Sequence, residues 1–171
     1  MTLTKSKYYF EALDHYPYNL PECMEALNYA LSYDPEDADA LCLMGRIYSE
    51  MLSDYEQAKL YFEEAMQYDV TNVNTPQYYI ICLLNNEDLY EAEKLINYSL
   101  KIKGIDEATL WLYRSMLSEK RGSLVNALKF LKEAEKYCFT ECSLNSIKAR
   151  RKFIKSKLPE KSKTKKKKET K

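Results

Sequence analysis

The chain has 171 residues, of which 46% are apolar, with 26 basic and 26 acidic side chains. Three glycines and five prolines are too few for a loop-rich or all-β fold. No run approaches the ~18 apolar residues of a membrane-crossing helix. The zero net charge hides a separation: residues 1–147 carry 13 basic and 24 acidic side chains, a net −11, and residues 148–171 carry 13 and 2, a net +11.

This length suffices for one domain with a substantial core. Helical patterning starts at Lys5–Asp14 and stops at the segment from His15 to Pro21, where two prolines remove amide donors. Pro21 suits the first turn of a second helix bearing Cys23, Leu27 and Ala30. Asp34 to Asp37 form a connector, and Asp37 or Asp39 can cap the next helix. Ala40–Met51 and Tyr55–Tyr68 form a second pair, with one extra turn residue around Leu52-Ser53-Asp54. Pro76–Asn85 and Leu89–Lys101 form a third, ended by Gly104 as a helix C-cap. Glu107–Lys120 and Leu124–Tyr137 form a fourth, turning at Gly122. From Ser143, Leu144, Ile147, Arg151 and Ile154 fall at helical spacing, which predicts a ninth, capping helix. Beyond Pro159 the Lys-rich sequence is expected to be disordered.

One pattern recurs through this series. Cys23, Leu27 and Ala30 return as Ala58, Phe62 and Ala65, as Ala92, Ile96 and Ser99, and as Ala127, Leu131 and Ala134, at steps of 35, 34 and 35 residues. Spacing of i, i+4, i+7 is one helix face. A small–large–small face repeated at this period predicts a second helix packed closely at the same place in every unit, hence a stack of helical hairpins.

The period and the unit resemble the tetratricopeptide repeat family. The second unit carries most of the pattern, with Leu41, Met44, Gly45 and Tyr48 followed by Tyr55, Ala58, Phe62 and Ala65. In the fourth, Trp111 fills an aromatic slot and Gly122 stands in the turn. The chain departs from the family where Glu11, Ile80 and Ser115 take the usual glycine slot, and where Arg114 takes an apolar one. The resemblance implies an all-α right-handed solenoid of antiparallel helix hairpins, with repeats at about residues 4–37, 38–72, 73–107 and 108–141 and a capping helix at 142–158.

It also implies a ligand surface on the first helix of each pair. Transferred residue by residue, the slots are Lys5, Tyr8, Ala12 and Tyr16, then Cys42, Arg46 and Ser49, then Gln77, Ile81 and Leu84, then Leu112 and Met116. Such a surface is mostly apolar and suits a peptide or helix of a partner protein. The slots by which some relatives clamp a C-terminal carboxylate hold Tyr8, Ala12, Leu43, Asn74 and Tyr78, so that clamp is absent. The expected role is that of a cytoplasmic, non-enzymatic adaptor or scaffold without a cofactor or metal, with homodimerisation open. A small secretion or assembly chaperone for a hydrophobic client is the nearest alternative. A different reading is weak nucleic-acid binding through Lys165, Lys166, Lys167 and Lys168, whose run of charge lacks interleaved aromatic residues.

The residues offer little for catalysis. Phosphate-binding glycine loops are missing, and His15, the sole histidine, stands among aromatic residues where packing explains it. The five cysteines lack the paired spacing of a zinc motif, although Cys138 and Cys142 could meet across a helix turn.

Overall fold

A computed structural model describes residues 6–158. Among them the chain is helical without strands: α1 Lys7–His15, α2 Leu20–Tyr33, α3 Ala38–Arg46, α4 Tyr55–Tyr68, α5 Thr75–Asn85, α6 Leu89–Ser99, α7 Glu107–Lys120, α8 Leu124–Lys136 and α9 Glu141–Ser156. Five of these helices begin at a short polar side chain that accepts from a free amide: Ser6, Asp37, Asp54, Asp106 and Thr140. Asp37 accepts from the amides of Asp39 and Ala40 at 3.1 and 3.2 Å, which settles the cap of α3 in its favour. Asp54 and Asp106 cap α4 and α7 in the same way. Pro21 and Pro76 stand in the first turns of α2 and α5. Thr140 caps α9, so that helix opens two residues before the expected Ser143. Gly104 and Gly122 take φ of +87° and +77°, the left-handed region that lets the chain leave a helix sharply.

The extra turn residue of the second unit is absorbed within the helix as well as after it. Ile47–Met51 continue α3 as a single π-helical turn, which holds one more residue than an α turn, and Ser53 follows at φ +54°.

All twelve residues of the recurring face are at most 1% exposed. In the second hairpin the large member lies over the partner helix: Phe62 meets Gly45 so closely that a β-carbon there would stand 2.8 Å from its ring. In the first hairpin the Cys23 thiol donates to the Ala12 carbonyl at 3.2 Å. Helix pairs α1/α2, α3/α4, α5/α6 and α7/α8 are thus antiparallel hairpins, stacked through α2/α3, α4/α5 and α6/α7. First helices also touch each other, α3 with α5 and α5 with α7, while contacts as extensive do not join α2 to α4, α4 to α6 or α6 to α8. The stack therefore curves with its first helices on the inside.

Polar ties cross the hairpin boundaries. Lys59 pairs with Asp88 at 2.9 Å. Arg121 pairs with Glu93 at 2.8 Å and donates to the Leu89 carbonyl at 3.1 Å. Arg114, the charge in an apolar slot, lies 5.4 Å from the centroids of both Trp111 and Phe130 and donates to Asn97 at 2.7 Å, so the rings accept its flat guanidinium.

Helix α9 closes the stack. Ile147 and Ile154 are buried against the Ala127, Leu131 and Ala134 face of α8. Three basic residues tie it to the preceding hairpin: Arg150 and the C-cap Lys157 both reach Glu119, and Arg151 grips Glu135 at 3.0 and 3.2 Å.

Candidate partner-binding surface

The inner face is organised around Arg46. It leaves the last turn of α3 toward the concave side, and its guanidinium lies 4.7 Å from the centroid of the Tyr16 ring and 4.2 Å from that of Tyr78. It also donates to the Glu50 carboxylate at 3.0 Å and to the Tyr16 hydroxyl at 3.3 Å. The Tyr16 hydroxyl in turn donates to Glu50. Tyr16 comes from the end of the first hairpin's inner helix, Arg46 and Glu50 from the second, and Tyr78 from the third, so three units meet at one cation. The π turn carries Glu50 on the same side as Arg46.

Two more tyrosines extend the strip. Tyr9, half-buried, lies within electrostatic range of Cys42, Asp37, Arg46 and Tyr78. Tyr113, from α7, feels Tyr78, Asp106 and Glu50. Burial raises both phenols, and Tyr113 reaches about 12. Tyr16 is also pushed to about 12, by burial and then by its hydrogen bond to Glu50. These hydroxyls stay protonated at neutral pH and act as neutral donors and acceptors. The strip is aromatic and polar, in contrast to the mostly apolar surface expected.

The expected contact residues separate into groups. Arg46 and Tyr16 lie at the centre of the strip. Ile81, Met116 and Gln77 are half-buried; Ile81 and Met116 pack against the main core, and the Gln77 amide donates to the Val73 carbonyl at 2.8 Å. Leu112 packs under α9, where it lines a cleft of about 380 Å³ with Cys138, Phe139 and Ile147. Cys42, 6% exposed, sits behind the strip with its thiol pushed up by burial. Ser49 is 6% exposed, so its slot is closed as well.

Five expectations need correction, those for the buried Cys42 and Ser49 among them. Ala12 and Leu84 are fully buried, so neither presents surface to a ligand. Tyr8 faces the wrong way: its ring stacks on Tyr29 and Tyr33 of α2, at 5.4 and 5.6 Å between centroids. The cause for Ala12 and Tyr8 is one shift of register. Ala12, rather than Glu11, takes the small-residue place against α2, and the inward positions of α1 move by one residue from Tyr8 to Tyr9. Leu84 follows a different logic, because the short α5 is squeezed between α3, α4, α6 and α7 and only one narrow side of it stays open. Lys5 and Lys165 to Lys168 lie outside the described residues.

Tyr9, Glu50, Tyr78 and Tyr113 were not among the expected contact residues. The i, i+4 spacing of Arg46 and Glu50 is the one local signal that could have joined any of them to Arg46.

Among the described residues, no helix is long and apolar enough to cross a membrane, and no group of three or more His, Cys, Asp or Glu side chains is placed to hold a metal. All five cysteines are free thiols, with Cys142 exposed and the Cys138 thiol on the Ala134 carbonyl at 3.4 Å.

These features define a helical-repeat fold with a concave face. In fold the chain is similar to the crystal structure of a thermophilic tetratricopeptide-repeat protein from Thermus thermophilus, with a TM-score of 0.54 and 12% sequence identity over 90% of this chain and 100% of that one. No protein-family model matches the sequence, and no curated protein does.

Proposed function

We propose that this chain is a divergent tetratricopeptide-type interaction module, an adaptor or scaffold subunit that holds a segment of a partner protein against its concave face. Its units follow the hairpins, at about residues 4–37, 38–72, 73–107 and 108–141, with 142–158 as the cap. The observation that carries the reading is the Tyr16–Arg46–Tyr78 sandwich with Glu50. Three successive units contribute to it, and it offers stacked aromatic area, neutral hydroxyls and both signs of charge at one place. Aromatic residues and arginine on rigid elements are the side chains that dominate protein recognition, since they bury large area at small entropic cost. An extended or helical peptide carrying a carboxylate near an aromatic or aliphatic side chain would complement Arg46 and the tyrosine rings.

The test is site-specific photo-cross-linking. A photoreactive residue in place of Tyr78 should trap the partner, whereas the same residue in place of Tyr98, exposed on α6, should not. The double variant Arg46→Glu, Tyr78→Ala should keep its helicity and lose the partner. Equal trapping at both positions, or a partner retained by the double variant, would refute the concave assignment.

A further inference from the structure

We infer that the cleft at the N-terminal end of the solenoid binds the lysine-rich C-terminal segment of a second copy of this chain. This cleft encloses about 800 Å³ and is remote in kind from the Arg46 strip, because it opens at the edge where second helices end and first helices begin. Its aromatic wall comes from Tyr8, Tyr33 and Tyr68. Tyr8 and Tyr33 are stacked at 5.6 Å, and Tyr33 and Tyr68 remain 73% and 45% exposed. Its charge comes from Asp34, Glu36, Asp37, Asp39 and Asp69.

Several of these carboxylates are fixed as helix or turn caps, which orders them without cancelling their charge. Among the described residues, no ion pair neutralises Asp34, Glu36, Asp37 or Asp69. Hydrogen bonding from Thr71, which outweighs partial burial, holds the Asp69 carboxyl below its ordinary range. The cleft already shows how it seats an ammonium group: Lys7, one of its own lining residues, places its Nζ 4.8 Å from the Tyr8 centroid. Aromatic rings with flanking carboxylates favour alkylammonium side chains over neutral ones.

The occupant of matching chemistry is in the same chain. Residues 148–171 carry a net +11, and the run from Lys165 to Lys168 is its densest part. On α9, Lys148, Lys152 and Lys155 are exposed and, among the described residues, unpaired. Geometry argues against the chain filling its own cleft. α9 starts at the edge that holds the cleft and runs 16 residues, about 24 Å, to the opposite edge. The cleft also lies about three hairpin layers away, roughly 30 Å at ordinary helix spacing. The two displacements are at right angles and combine to about 38 Å, whereas Lys165 to Lys168 lie seven to ten residues beyond Leu158, a reach of at most about 25 to 36 Å. A second copy meets no such limit, and a head-to-tail contact of this type repeats from copy to copy.

Two measurements on the full chain test this. Sedimentation velocity in about 20 mM salt should show self-association that disappears in about 500 mM salt, where screening shortens to a few ångströms. Replacing Lys165 to Lys168 with glutamine, or the pair Glu36→Lys and Tyr33→Ala, should each abolish it while circular dichroism stays unchanged. In the second measurement, a synthetic peptide of residues 159–171 is titrated into the glutamine variant. It should bind, and binding should weaken at least ~10-fold when Glu36→Lys and Tyr33→Ala are added. Self-association indifferent to both sets of substitutions would overturn the proposal, as would peptide binding indifferent to the cleft substitutions. A wild type that stays monomeric but takes up the peptide more weakly than the glutamine variant would also overturn it, by placing the tail in its own cleft.

Discussion

The Arg46 guanidinium stacks 4.2 Å from the centroid of the Tyr78 ring, joining the second hairpin to the third across their concave faces. With Tyr16 on its other side, the arginine ties three hairpins together. Arg46→Ala should lower the folding free energy by about 1–2 kcal/mol, from two lost cation–π contacts and a partly exposed ion pair. Arg46→Lys should recover only part of this, since an ammonium cannot lie flat between two rings. Urea unfolding of the three proteins measures the difference. Equal midpoints for Arg46→Ala and the parent would show that the sandwich contributes nothing to stability.

Gly45 tests the close packing of the hairpins. A methyl group there meets Phe62 Cε1 at 2.8 Å and Cδ1 at 2.9 Å. Gly45→Ala should therefore destabilise the protein by about 1–3 kcal/mol despite the better helix propensity of alanine. Adding Phe62→Leu should restore part of that loss, although the same substitution alone is destabilising. Thermal unfolding of the double-mutant cycle checks the coupling, and strictly additive losses would place the strain elsewhere.

Alkaline titration should report the inner strip. Burial and neighbouring acidic groups raise the phenols of Tyr16 and Tyr113 from 10.0 to about 12. A raised folded value means that the folded state holds the proton longer than the unfolded chain. The stabilising contribution is then complete below pH 10 and is lost as pH rises toward 12. Tyr16→Phe with Tyr113→Phe should flatten the fall in stability over that window. Tyrosinate absorbance should show two fewer late-titrating groups in the double variant; an unchanged titration would mean that both phenols ionise normally.

Acid should act at the other end of the molecule. Burial alone would raise the Glu119 carboxyl, but the hydrogen bond from Lys157 and the charges of Arg150 and Lys157 outweigh it and lower the value. A lowered folded value gives stability that is complete above the ordinary carboxylate range and is lost as pH falls through the folded value. Helix α9 should loosen first under acid, seen as faster amide exchange in α9 than in α3 or α5. Glu119→Gln should loosen α9 at neutral pH and remove that acid dependence. Uniform exchange across all helices would show that α9 is not held by this cluster.

The sequence by itself determined the hairpin stack. A period near 34 with a small–large–small helix face leaves few other ways to bury Leu27, Phe62, Ile96 and Leu131, and all four are at most 1% exposed. The cap of α3 was legible as Asp37 or Asp39, because such a side chain acts on amides two or three residues away, within reach of local rules; Asp54 and Asp106 cap α4 and α7 without having been read as caps. The inner face was legible only in part. Tyr16 and Arg46 were found, but Tyr8, Ala12 and Leu84 were placed on the surface and lie against α2 or in the core. A slip of one residue turns a helical side chain by about 100°, enough to move it from groove to interior. In the first hairpin, the fully buried Ala12 rather than the exposed Glu11 faces α2, where the Cys23 thiol donates to the Ala12 carbonyl. The Tyr16–Arg46–Tyr78 stack joins residues 30 and 32 positions apart from Arg46, and the N-terminal cleft draws on α1, α2, α3 and α4 together. Those distances are set by how far each hairpin turns on the one before it, and no periodicity along the chain encodes that angle.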